Sequence, residues 1–139
     1  MDPTTDCVSV LIVNKAVQDL GVIVNASFVV GLTAGRLLPA ETFGSDVVDG
    51  RGTRHVFLTR IGHVVRKAGS QKLRRVRDEL VASPGVVVVD YPEHAAPSDY
   101  AQYTAALEQD RSEEIVYRAL HVWGPRAVVD GITGNLSRL

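Results

Sequence analysis

Apolar and polar positions fall in blocks that alternate between strand-like and helix-like spacing. Val8-Ser-Val-Leu-Ile-Val13 is a short run rich in β-branched residues, which predicts a buried central strand. Asn14 and Lys15 follow at its C-terminal end. After Gly21, the stretch from Val22 to Leu38 is apolar on almost every helical face, which predicts a helix buried nearly all round. Its many valines lower helix propensity, so packing must hold it. The small residues Ala26, Ser27, Gly31, Ala34 and Gly35 would let it lie close to a sheet, and Pro39 ends it.

Phe43 to Thr53 is turn-rich and contains the Asp49-Gly50 dipeptide. His55-Val-Phe-Leu-Thr59 reads as a second strand, and Ile61 to Val65 adds a short extended piece. Ser70 is the expected N-cap of the next helix. On that helix Leu73, Val76, Leu80 and Val81 share a face, and Pro84-Gly85 stops it. Val86 to Val89 is again a buried strand, ending in Asp90. Tyr91 to Pro97 reads as a loop. Ser98 is placed to cap a helix from Asp99 to about Gln109, and Glu114 to Trp123 reads as the last strand. Gly124-Pro125 turns the chain into a short helix. Strands alternating with helices predict a three-layer α/β/α sandwich with a mixed sheet of four or five strands.

The length of 139 residues fits one domain spanning residues 1–139. With a hydrophobic fraction of 45% and a charged fraction of 22%, the chain has enough apolar material for a packed core. The single cysteine, Cys7, excludes an internal disulfide and any zinc site built on cysteine pairs. The Met-Asp-Pro-Thr-Thr-Asp start lacks the charge and apolar core of a signal peptide. Polar and glycine residues interrupt the longest apolar stretch, so no membrane span is expected and the predicted location is cytoplasmic.

Net charge is −1, but the charges are segregated. Between Arg51 and Arg77 stand nine basic residues and no acidic one; from Asp78 to Glu114 stand nine acidic residues against Arg111 alone. Two readings follow: neighbouring surfaces that neutralise each other, or a positive face for phosphate, with tRNA as its partner.

The C-terminal segment Gly124-Pro125-Arg-Ala-Val-Val-Asp130-Gly-Ile-Thr133-Gly134-Asn-Leu136 resembles the closing segment of peptidyl-tRNA hydrolase II enzymes. Those enzymes end with a Gly-Pro turn, a short helix carrying an aliphatic residue and Asp, then Thr-Gly, one residue and Leu. In mid-chain the pattern is closer to a bacterial family grouped with that hydrolase by fold, the domain-of-unknown-function family numbered 2000. Gly21, Asn25 and Ala26, the Asp49-Gly50 turn with His55, Val89-Asp90, Tyr100 and Tyr103 carry that likeness. It implies a hydrolase II-like fold over nearly the whole chain. The lysine-rich stretch that the hydrolases place before the first helix is here Gln18-Asp-Leu-Gly21-Val-Ile-Val. Their Asp-Ala-Gly-Arg-Thr type loop is here Asp90-Tyr-Pro-Glu-His-Ala-Ala-Pro.

Ester cleavage needs an activated water or nucleophile and support for an oxyanion. Asp90 at a strand end is the candidate base and Lys15 the candidate positive stabiliser; the bland alternatives are a turn former and a solvated charge. Asn14, Asn25, His63, Tyr91 and Thr133 are the candidate ligand-binding residues. Asn25 stands out as an amide in an apolar helix, which burial would oblige to find a hydrogen bond. Tyr91, Tyr100, Tyr103 and Trp123 could wall an aromatic pocket or pack in the core. The four histidines lack metal-ligand spacing and no glycine-rich phosphate loop is present, so neither a metal nor a cofactor is expected.

Three functional readings remain. The first is a hydrolase II-like scaffold whose activity is altered or lost, binding a small ligand at the C-terminal end of the first strand. The second is a hydrolase of peptidyl-tRNA or a related aminoacyl ester or amide. The third is a homo-oligomeric interaction module. A homodimer is the expected assembly.

Overall fold

The structure is a computed structural model that describes residues 1–95 and 99–139. A five-stranded mixed sheet is its frame. Strand β1 (Cys7–Asn14) leads into helix α1 (Leu20–Leu37). A hairpin of β2 (Val47–Val48) and β3 (Arg54–His55) precedes β4 (His63–Ala68) and α2 (Ser70–Val81). Then come β5 (Val87–Pro92), α3 (Tyr100–Gln109), β6 (Tyr117–Pro125), α4 (Arg126–Thr133) and β7 (Ser137–Arg138). The strand order is β5-β6-β1-β4-β7, with β1 central as its apolar run predicts. β1 and β4 are parallel, and β6 runs antiparallel to both β1 and β5.

The two faces of β1 feed two hydrophobic clusters, as the period of two requires. Val8, Val10 and Ile12 pack with Leu73, Val76 and Leu80 of α2 and Val129 of α4. Leu11 meets the second cluster, built on Ala26 and Val30 of α1, Tyr91 and Ala119.

Several elements differ from expectation for identifiable reasons. His55–Thr59 is not a strand of the main sheet: His55 pairs in the small hairpin, Thr59 makes an isolated bridge to Phe43, and Val56 and Leu58 are exposed. The strand beside β1 is His63–Ala68, whose basic residues broke the apolar signal. Gly69 rather than Ser70 is the N-cap of α2, and Ser70 instead accepts a hydrogen bond from Asn14. β5 runs two residues past Asp90, so Tyr91 and Pro92 are strand rather than loop. Asp99 caps α3 through a capping box with Gln102; the expected cap, Ser98, lies outside the described residues. Residues 112–114 form a single 3-10 turn, and β6 begins only at Tyr117.

The largest correction concerns α1. Asp19 caps it, and only Ala26, Val30 and Ala34 are buried. Leu20, Val24, Phe28 and Leu32 lie exposed on the side away from the sheet. With 18 residues and a mean hydropathy of 1.6, this helix is long and apolar enough to cross a membrane by length and composition. Here its narrow small-residue stripe docks on the sheet.

Candidate functional site

A pocket of about 590 Å³ opens between α1, β5 and α3. Asn25, Val29, Val30 and Thr33 of α1 line one side, and Val89 to Pro92 of β5 another. Ala95, Tyr100 and Tyr103 complete the wall. The i, i+4 spacing of Asn25, Val29 and Thr33 puts them on one stripe of α1. The size suits a small organic ligand. Three tyrosines therefore meet in one place, and the rings of Tyr100 and Tyr103 stand edge to face at 5.9 Å. Trp123, the fourth aromatic residue considered, lies away from them beside Ala34, Leu37 and His121.

Asn25 is exposed rather than buried, so its polarity serves the pocket surface and not a core amide. Its Oδ1 accepts a hydrogen bond from the Tyr91 hydroxyl at 3.3 Å. Asp90 also lines the pocket, but its carboxylate is engaged by Arg77 Nε at 3.1 Å. The Arg77 guanidinium lies 5.4 Å from the centre of the Tyr117 ring, so α2, β5 and β6 are tied at this point. Burial, then the Asp90 charge, push the Tyr103 hydroxyl above its ordinary pKa, so it is a neutral donor and acceptor.

Lys15 is not in the pocket. Asp90 is level with Leu120, which is level with Ile12 on β1. Two strand spacings, about 10 Å, plus three residues of chain separate it from Lys15. Among the described residues no ion pair joins the two.

The remaining candidates are held by structural partners. Asn14 is 1% exposed and fully hydrogen-bonded. It donates to Ser70 Oγ and to the Tyr117 carbonyl, both at 2.9 Å, and accepts from the Ala16 amide. It locks the end of β1 to α2 and β6. The Thr133 hydroxyl donates back to the Val129 carbonyl at 2.8 Å inside α4. The basic block is divided among the hairpin, β4 and α2. Arg54 pairs with Asp46, Arg66 donates to the Leu136 carbonyl and Arg77 pairs with Asp90.

His63 belongs to a different cluster, which sequence reasoning missed. Its Nδ1 lies 2.6 Å from Ser9 Oγ and its Nε2 lies 2.7 Å from Thr59 Oγ1. Ser9 Oγ is also 2.8 Å from His121 Nε2. The hydroxyl has one hydrogen to give and two lone pairs, so at least one of the two imidazoles must donate to it. Burial, and secondarily the neighbouring His63, push His121 down to about 4, and burial lowers His63 as well. Both rings are therefore neutral at pH 7. The available signal was a polar residue inside each of two apolar strands, Ser9 in Val8–Val13 and His121 between Leu120 and Val122. Ser9 is 1% exposed and His121 8%, while the His63 ring reaches solvent, so this is a clasp across the sheet whose hydroxyl is not a reachable nucleophile. Cys7 is likewise no activated thiol, because burial raises its pKa. No group of three or more His, Cys, Asp or Glu side chains is placed to hold a metal among the described residues.

The family model described as a protein of unknown function, DUF2000, matches residues 9–139, and the chain belongs to that family. A solved structure of a protein of unknown function from Agrobacterium tumefaciens has the same fold, with a TM-score of 0.85 at 16% identity. The match covers 96% of this chain and 98% of that one. A search of the curated proteins finds no match.

Proposed function

We propose that the protein binds a small, flat, uncharged organic molecule in the pocket between α1, β5 and α3. The observation that carries this reading is the convergence of three tyrosines and the Asn25 amide on one cavity of about 590 Å³. Tyrosine rings supply apolar faces for a planar group, and their hydroxyls with Asn25 supply hydrogen bonds at its edge. A neutral ligand is favoured because Asp90, the one carboxylate among the described lining residues, already has Arg77 as its counter-ion. The site moves from the end of the first strand, where the Asn14 amide is fully engaged, to the C-terminal half of β5.

The scaffold reading is a three-layer α/β/α sandwich of the peptidyl-tRNA hydrolase II type, working in the cytoplasm. Its support is the C-terminal Gly124–Leu136 segment, with α1 and α2 packed on opposite-facing residues of β1. Peptidyl-tRNA hydrolysis is the less supported activity, because Lys15 and Asp90 do not meet and Asp90 is engaged by Arg77.

The test is saturation-transfer NMR with benzamide and related ring amides. Transfer from the tyrosine rings is expected in the wild type and should vanish in Thr33→Trp, which fills the pocket from an exposed position. Equal transfer to both proteins, or to neither, would remove the proposal.

A further inference from the structure

The outward side of α1 is an apolar surface that none of the described residues covers. Leu20, Val24, Phe28 and Leu32 are between 56% and 76% exposed. Together with Val29 they present on the order of 600 Å² of apolar surface, close to the ~800 Å² that each partner gives to a stable interface. The patch also reaches the upper size expected on a monomer.

From this face we infer that two copies of the chain pair through α1, antiparallel, about a two-fold axis near Phe28. Three features of the helix select that occupant. The first is its symmetry of sequence. Phe28 sits at the middle of Leu20–Leu37, with Val24 and Leu32 four residues to either side and Gly21 and Gly35 seven residues to either side. A two-fold axis makes a patch meet itself, so a patch that reads alike in both directions is self-complementary. The second is relief. A Cβ at Gly31 or Gly35 would meet nothing within 4 Å, so open space lies beside the Phe28 ridge. The partner's ridge can enter it, bringing the helix axes toward the short end of the ~8–10 Å packing range. The third is charge. Arg36 is the one charged residue within the helix, and Asp19 caps its start. Antiparallel pairing sets Arg36 level with the partner's Asp19, whereas parallel pairing sets the two arginines level with each other. A membrane surface is a poorer occupant, because the polar flanks of an interfacial helix carry several lysines or arginines. The inference stands whether or not the pocket holds a ligand, although Val29 borders both surfaces.

Sedimentation velocity over a concentration series gives the first test. The wild type should be a dimer at tens of micromolar, and Leu32→Glu should weaken association by at least about 30-fold. Circular dichroism should show that variant folded, since residue 32 faces away from the core. Disulfide trapping in a Cys7→Ser background gives the orientation. Chains carrying Val24→Cys should cross-link with chains carrying Leu32→Cys, and neither should cross-link with itself. A wild type that is monomeric throughout overturns the inference, and so does one that instead sediments with phosphatidylglycerol vesicles. Self-cross-linking of Val24→Cys chains, or a dimer indifferent to Leu32→Glu, overturns it equally.

Discussion

Tyr91 donates its hydroxyl hydrogen to Asn25 Oδ1 across 3.3 Å, joining β5 to α1 at the edge of the pocket. The bond is long and lies where water can replace it. Tyr91→Phe should therefore cost little stability, about 0.5–1 kcal/mol in urea unfolding. Its effect on ligand binding should be larger, because the freed Asn25 amide can turn and the pocket loses a donor. A variant that loses more than about 2 kcal/mol of stability would make this pair a structural tie rather than part of a binding surface.

The Ser9, His63 and His121 clasp makes stability depend on mild acid. His121 titrates at about 4 in the folded chain, and an unfolded imidazole near ~6.5. Between those values the unfolded chain holds more protons, so stability is full above ~6.5 and falls as pH drops toward 4. The loss from this residue is on the order of 3 kcal/mol across the window. His63, also lowered, acts in the same direction. His121→Gln keeps an amide for Ser9 and should flatten the slope. Urea midpoints at pH 7 and pH 5 measure it, and parallel declines in both proteins would contradict the assignment.

Two glycines near the C-terminus should answer alanine with opposite signs. A Cβ on Gly124 would lie 3.0 Å from Val86 Cγ2, 3.1 Å from Val86 Cα and 3.2 Å from the Gly85 carbonyl. Two of those neighbours are backbone, so Gly124→Ala should cost about 1–3 kcal/mol. Gly131 lies inside α4, where an added Cβ meets nothing within 4 Å. Gly131→Ala should stabilise by up to about 1 kcal/mol through helix propensity. Thermal melts of the two variants decide the matter.

The order of elements and the central place of β1 were legible because a strand covered on both faces is apolar at nearly every position. The hairpin and the exposed side of α1 were not, for a shared reason. Both carry apolar residues that this chain leaves in solvent, and a hydrophobic pattern alone does not tell a core from an uncovered surface. Val56 and Leu58 are exposed, as are Val24 and Phe28. The pocket was half legible. Asn25, Asp90 and the tyrosines were singled out by type, but Lys15 and Asn14 were grouped with them by proximity to a strand end, and His63 by its imidazole alone. Only the three-dimensional register separates them: Ser9 sits beside His63, and Asp90 lies two strands from β1.

The close approach at Gly124 bears on how the relatives of this chain are recognised. Pro125 rests on Gly85, whose φ of +75° suits a residue without a side chain. The Gly-Pro signature is thus a joint between the last long strand and the turn before β5, remote from the tyrosines. A search keyed on that joint gathers proteins by carpentry. The ligand we propose for this chain would be chosen elsewhere, by the side chains of α3 and of the far half of β5.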